Sequence, residues 1–398
     1  RLYSYTKYDV LGRITEVGQI RDNTGATTVS DALTRIPSSL QLWLSDRDDY
    51  RGQITTTIYD EPYDGFTGTD PRLILQQRNL RNRVSYTMYS DTLNNFSFNQ
   101  ATFYSYDIHG NVDTLLQDYG VTGQYPNVMN KNYNRYKKIS YNYDLISGKV
   151  NRVAYQKGWA DQVFHRYSYD AENRLTDVET SFDDRNWEKE ARYEYYQHGP
   201  LARVVLGGQQ VQGTDYAYTL QGWLKGVNSM RLSSTTDMGE DGLAGGIHQY
   251  TARDAVGFYL NYYDTSDYAA ISGGNPFPGM QAYMPARHYR PLFNGNISSM
   301  AINNRGLGDA GSFGGALMLY AYRYDQLNRL TEMDAFKNLN TSGNTWNGLT
   351  GMDQYRETIT YDGNGNILTY NRNGHKTAYL MDQLTYTYNA NTNQLNRV

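Results

Sequence analysis

The chain has 398 residues, no cysteine, 40 tyrosines and 37 glycines, with 37 Lys+Arg against 41 Asp+Glu for a net charge of −4. The missing cysteines exclude disulfide frameworks, thiolate zinc sites and cysteine nucleophiles, and a weakly acidic chain without a long basic run is not built to neutralise duplex nucleic acid. With a mean hydropathy of −0.73 and no apolar run of about 18 residues, no transmembrane helix is expected.

Tyrosine supplies about a quarter of the 39% hydrophobic fraction, so the interior is expected to be built largely from it. The chain opens in a strand-like pattern, Leu2-Tyr3-Ser4-Tyr5, and closes just after another, so it reads as a segment of something longer. Its first unit is Tyr5-Thr6-Lys7-Tyr8-Asp9-Val10-Leu11-Gly12-Arg13-Ile14. The best helix signal follows at Asp31-Ala32-Leu33-Thr34-Arg35-Ile36, where Pro37 is expected to stop it.

The unit then returns as Tyr104-Ser105-Tyr106-Asp107-Ile108-His109-Gly110-Asn111-Val112 and Tyr167-Ser168-Tyr169-Asp170-Ala171-Glu172-Asn173-Arg174-Leu175. Later copies are Tyr322-Arg323-Tyr324-Asp325-Gln326-Leu327-Asn328-Arg329-Leu330 and Ile359-Thr360-Tyr361-Asp362-Gly363-Asn364-Gly365-Asn366-Ile367. Tyr216-Ala217-Tyr218-Thr219 keeps the frame with Thr for Asp, while Tyr143-Asp144 to Val150 and Tyr388-Asn389 to Leu395 carry one extra loop residue. Tyr-x-Tyr has period two and puts both rings on one face of a strand. An Asp opening a type I turn accepts hydrogen bonds from the backbone ahead, and Gly or Asn three residues on tolerates the left-handed conformation that completes the turn. The aliphatic residue five after the Asp then starts the return strand. Each unit is therefore a hairpin, and self-similarity of this kind governs the fold.

Residues 1–228 and 320–398 are expected to form this repeat, with a Gly-rich insertion at 229–319 that remains partly integrated through two islands of strand character, Phe258–Tyr263 and Asn296–Met300.

The Tyr-Asp-x-x-Gly/Asn-Arg/Asn-aliphatic unit resembles the YD repeat of bacterial Rhs proteins. Similar repeats occur in the B and C components of insecticidal toxin complexes, in wall-associated contact-inhibition proteins and in teneurins. The resemblance implies an all-β fold in which an antiparallel ribbon spirals into a shell, or β-cage, of which this chain is a fragment. It further implies a secreted or cell-surface protein whose partner is an encapsulated C-terminal toxin domain of the same parent, with a secretion apparatus or surface glycans as further partners. Tyr218–Asn228 and Asn294–Ile297 look like features of one bacterial subgroup. The family's DPxGL-type core boundary and self-cleaving aspartates are not found before Val398, so no cleavage or toxic activity is assigned to these residues.

No catalytic, cofactor-binding or metal-binding residues are expected, and no enzymatic activity. His109, His165, His198, His248, His288 and His375 show no ligand spacing. Asp237-Met238-Gly239-Glu240-Asp241-Gly242 offers oxygen ligands that calcium accepts, but lacks EF-hand spacing and reads as a solvated acidic loop. Asp9, Asp107, Asp170, Asp325 and Asp362 are accounted for as turn formers rather than as a glycosidase pair. The competing reading is a surface adhesion or glycan-binding module, in which Trp159, Trp187, Trp223 and Trp346 join the tyrosines as stacking platforms.

Overall fold

The computed structural model describes residues 2–21, 35–45, 51–65, 75–92, 98–120, 134–263, 267–270, 276–278, 290–305, 317–340, 343–346, 349–375 and 380–398. The chain divides into two compact units, Arg1–Glu188 and Lys189–Val398.

The first unit opens with β1 (Leu2–Tyr8), β2 (Ile14–Arg21), a helix α1 (Pro37–Ser45), β3 (Arg51–Tyr59) and β4 (Val84–Thr92). It continues through β5 (Gln100–Tyr106), β6 (Val112–Asp118), β7 (Tyr136–Tyr143), β8 (Val150–Tyr155), β9 (Val163–Tyr169) and β10 (Leu175–Ser181). Each strand pairs antiparallel with the next in sequence, from β1–β2 to β9–β10.

The second unit follows the same rule. Its strands are β11 (Glu188–Tyr195), β12 (Leu201–Leu206), β13 (Gln212–Tyr218), β14 (Leu224–Val227), β15 (Val256–Asn261) and β16 (Ser299–Asn304). After these come β17 (Met318–Tyr324), β18 (Leu330–Lys337), β19 (Thr350–Tyr361), β20 (Ile367–Asn373) and β21 (Leu380–Thr385), all paired consecutively. A last hairpin joins β22 (Thr387–Tyr388) to β23 (Leu395–Arg397). β15 and β16 overlap the two expected islands of strand character, the first beginning two residues earlier and the second three residues later than expected.

Turn chemistry drives this succession. In the first hairpin the Asp9 N–H donates to Arg13 O (2.9 Å) and the Gly12 N–H to Asp9 O (3.0 Å), with Gly12 at φ +78°. The Asp9 carboxylate accepts from the Leu11 and Arg13 N–H groups at 2.9 and 2.8 Å and from Arg13 Nε at 2.7 Å. The ladder slips by one residue between Lys7 and Tyr8, so a type I turn is closed by a left-handed residue and a bulge, a geometry that matches strand twist. Asp107, Asp170, Asp325 and Asp362 repeat it, with Gly110, Asn173, Asn328 and Gly365 at positive φ. The ring pairs also stand as the alternation requires. Tyr104 and Tyr106 lie 6.4 Å apart and Tyr141 and Tyr143 6.2 Å apart, each pair nearly parallel.

The helix at Pro37–Ser45 adds to the expectation. Arg35 is helical and Ile36 is not, and Pro37 then opens a further helix, because the first helical position needs no N–H and the ring presets its φ. Asp31–Thr34 lie outside the described residues. α1 buries Leu44 against Tyr5 and Ile20, and Trp43 meets Tyr3 edge-on at 6.0 Å.

Burial is uneven along the sheet. All six residues of β8 are half-covered, as in a layer whose two faces are shielded only by long side chains, and tyrosine suits such a position by covering area while its hydroxyl stays near polar partners. Thicker packing occurs where connections fold back. In the first unit Phe103 and Leu116 pack with Leu75 and Tyr136. In the second, Met230, Phe277 and Trp346 cover the face formed by Ala217, Tyr259, Ala301, Leu319, Ala321 and Phe336.

Candidate functional site

Hairpin turns recur along each unit, and in eight cases a tyrosine at the end of the strand before a turn fixes it to an earlier turn. Tyr59 donates its hydroxyl to Ile14 O (3.0 Å), Tyr106 to Val84 O (2.8 Å), Tyr143 to Val112 O (2.9 Å) and Tyr169 to Val150 O (2.8 Å). In the second unit Tyr262 reaches Leu224 O (2.9 Å), Tyr324 Ile297 O (3.0 Å), Tyr361 Leu330 O (2.8 Å) and Tyr388 Ile367 O (2.8 Å). Every acceptor is an aliphatic residue that opens an earlier return strand or, for Ile297, stands two residues before one. Arginines lace the same turns: Arg13 pairs with Asp60 at 2.8 Å and lies over the Tyr59 ring at 4.2 Å, and Arg329 lies over Tyr361 at 4.6 Å.

Three of these turns escaped the sequence reading. Tyr59-Asp60 is separated from its partner residues by an insertion, yet the Asp60 N–H donates to Arg83 O (3.2 Å), Asn82 takes φ +59° and Val84 opens β4. Tyr262 is likewise parted from Gly295 (φ +87°) and Ile297, with the Leu292 N–H donating to Tyr262 O at 2.7 Å. At the third, Tyr196 occupies the Asp position, its N–H donating to Pro200 O at 2.9 Å. The surviving signal is the second half of the unit: Asn82-Arg83-Val84, Gly295-Asn296-Ile297 and Gly199-Pro200-Leu201.

Tyr106 is buried at 9% exposure and its hydroxyl makes this single bond, so Tyr106→Phe isolates the lock. It is expected to lower stability by about 0.5–1.5 kcal/mol, read as a shift in denaturant midpoint at constant slope. A midpoint equal to the parent's would show that the bond does not hold the turn.

The turn aspartates make these hairpins acid-sensitive. The Arg329 backbone N–H holds the Asp325 carboxyl below its ordinary range, and the Asn366 side chain does so for Asp362. In Asp9, Asp107 and Asp170 desolvation pulls upward, but the bonds from Arg13, Asn111 and Arg174 outweigh it. A carboxyl depressed in the folded state contributes stability above the unfolded value of about 3.9, and that contribution disappears as pH falls through the folded value. Loss of the strand signal in circular dichroism is therefore expected below about pH 4, and Asp325→Asn is expected to flatten the slope there. An unaltered profile would contradict this.

A second constellation lies in the interior of the second unit. Arg203 on β12 and Asp215 on β13 face each other across the ladder, and Arg203 Nη1 donates to Asp215 Oδ2 at 2.5 Å. Its Nη2 donates to Asp241 Oδ1. Asp241 in turn donates its N–H to Asp237 Oδ2 at 2.9 Å. Asp254 is 3% exposed, and neither of its oxygens meets a donor. The expectation of a solvated acidic loop is thus corrected: Asp237 and Asp241 are buried at 8% and 1% exposure, with only Glu240 turned outward. Gly239 permits this approach, since a Cβ there would collide with Arg203 and the Asp215 carboxylate.

Lys225, nearby in sequence, shows the contrasting case of a satisfied buried charge. Its Nζ donates to Asn261 Oδ1 (2.9 Å) and Asp267 Oδ1 (2.8 Å), and Asp267 Oδ2 accepts the Tyr262 N–H at 3.1 Å.

The remaining candidates are dispersed. His109, His198 and His375 are exposed, His165 stacks on Tyr167, and His248 Nδ1 lies 2.7 Å from Gly239 O. His288 lies outside the described residues. Trp346 is wholly buried and donates its indole N–H to Tyr259 Oη at 2.7 Å. Trp187 is covered by Arg166 at 4.3 Å, and Trp223 packs on Tyr262 at 4.9 Å. Trp159 is half-buried.

No family model and no curated protein matches the chain. Among solved structures, it is similar to the crystal structure of TcdB2-TccC3-Cdc42, with 15% identity over 99% of this chain and a TM-score of 0.53. It is similar to the Photorhabdus luminescens Tc holotoxin pore at 16% identity, again over 99% of this chain with a TM-score of 0.53. That likeness shows the fold. The chain has the all-β architecture of a YD-type shell fragment, and it spans 15% of the length of those solved chains.

Proposed function

We propose that this chain is a structural part of a toxin-complex type β-cage, a length of wall that encloses and protects a polypeptide cargo, the C-terminal toxin of the same parent, during delivery to competitor or host cells. The observation that carries the reading is the pairing of consecutive strands from β1 to β10 and from β11 to β21, with eight turns fixed to an earlier one by a tyrosine hydroxyl. Such a sheet gains stability from cross-strand aromatic pairs of about 0.2–1 kcal/mol each and from its laced turns, so it needs no second layer along its whole length. Its role is exclusion: proteases and solvent-borne partners are kept from the cargo, and no reaction is catalysed. Secretion or surface display follows from that role.

The test is cryo-electron microscopy of the full-length parent with protease challenge. A hollow β wall around extra density, with the C-terminal region protected until the wall is opened, is the expected result. A solid sandwich with a freely digested C-terminus would refute it. Saturable binding on a glycan array, abolished by changing half-buried Trp159 or Trp223, would instead favour the adhesion reading.

A further inference from the structure

The buried acids of the second unit hold more negative charge than their surroundings neutralise. Asp215, Asp237, Asp241 and Asp254 bring four carboxylates together, whereas Arg203 is the guanidinium bonded to two of them. Arg203 occupies Asp215 Oδ2 and Asp241 Oδ1, which leaves Asp237 Oδ1, Asp241 Oδ2 and both oxygens of Asp254 buried without a donor among the described residues. Hydrogen-bond donors reach both oxygens of Lys225's partner Asp267, so burial of an acid in this unit does not by itself leave it without donors. A buried carboxylate lacking donors is strongly unfavourable unless it is protonated or meets a cation.

Geometry favours the cation. Asp215, Asp237 and Asp241 each offer an oxygen, and these atoms all lie within 4.8 Å of one another. Two oxygens bound to one calcium ion at 2.3–2.6 Å can be separated by no more than about 5 Å. Asp254, 3% exposed and with neither oxygen bonded to a donor among the described residues, adds a fourth buried carboxylate beside them. All the side-chain donors are carboxylate oxygens, the set preferred by hard divalent ions and not by zinc or copper.

We propose that Asp215, Asp237 and Asp241, supported by Asp254, bind one calcium ion that ties residues 237–254 to strand β13. This inference is independent of the enclosing role. The ion replaces missing donors and fastens the connection after β14 to the wall. Burial first, and then Asp237, Asp241 and Asp215, push the Asp254 carboxyl up to about 9, so a retained proton is the specific rival to the ion.

The deciding experiment titrates the intact chain, freed of metal with a chelator, with calcium chloride and with magnesium chloride by calorimetry at neutral pH. Thermal unfolding and limited proteolysis are followed in parallel. One saturable calcium site with Kd at or below about 10⁻⁴ M, a raised Tm and protection of residues 237–254 are expected. Asp241→Asn and Asp254→Asn are each expected to weaken binding at least about ten-fold, while exposed Glu240→Gln leaves it unchanged. Folded parent chain showing neither heat nor a Tm shift with calcium would overturn the proposal and leave the proton as the compensating charge. So would stabilisation by magnesium alone, or undiminished calcium binding by both Asn variants. Should those variants fail to fold, the titration of the parent chain decides by itself.

Discussion

Trp346→Ala is expected to destabilise the second unit by about 3–5 kcal/mol, the range for truncating a buried aromatic side chain. Trp346 is 0% exposed, and its ring fills the space between Met230, Phe277 and the small-residue face of Ala217, Ala301 and Ala321. Those alanines have no longer side chains with which to close a void, so the cavity persists and its lining loses dispersion contacts. The substitution also deletes the 2.7 Å bond to Tyr259, whose own hydroxyl continues to Pro278 O at 2.8 Å. Chemical denaturation should show the second unit melting at lower denaturant while the first unit's transition stays in place. A loss below about 1 kcal/mol, within the ordinary run of surface substitutions, would mean that the covering segment is not cemented by this ring.

Arg203→Met should be nearly as damaging, at about 3–5 kcal/mol, because removing one member of a buried ion pair strands the other. Arg203 is 4% exposed and bridges Asp215 of β13 to Asp241 of the covering segment. Methionine fills comparable volume, so the loss reports charge rather than packing. Unfolding measured with chelator present isolates this term. Replacing Asp215 at the same time by Asn should recover part of the loss, and the double-mutant cycle gives the coupling. Equal stability of Arg203→Met and parent would show that the carboxylates are already neutral.

Much of the architecture is legible in the amino-acid order, for reasons that particular residues make plain. Tyr106-Asp107 and Gly110-Asn111-Val112 sit within one local window, and local turn chemistry is enough to write a hairpin. Tyr59-Asp60 and Val84 obey the same chemistry, but the intervening insertion breaks the window, and only tertiary structure brings the halves together. The helix that Pro37 opens was missed because proline both ends a helix from inside and begins one from its first position. Asp237 and Asp241, flanked by Gly239 and Gly242, have the local character of a wet loop. Their burial follows from Arg203 and Asp215, which lie on strands far away in sequence but directly opposite each other in register. Opposed charges facing inward on adjacent predicted strands were the available clue.

The direction of the tyrosine-to-carbonyl bonds has a consequence for how the molecule comes into being. In these eight cases the donor lies downstream of its acceptor, so each of these hairpins finds its anchor already present when it emerges. Growth then proceeds like a zipper closed from the N-terminal end, with short loop closures at most steps and little entropic delay. A chain halted part-way through synthesis would carry a finished stretch and one raw edge, ready for the next hairpin.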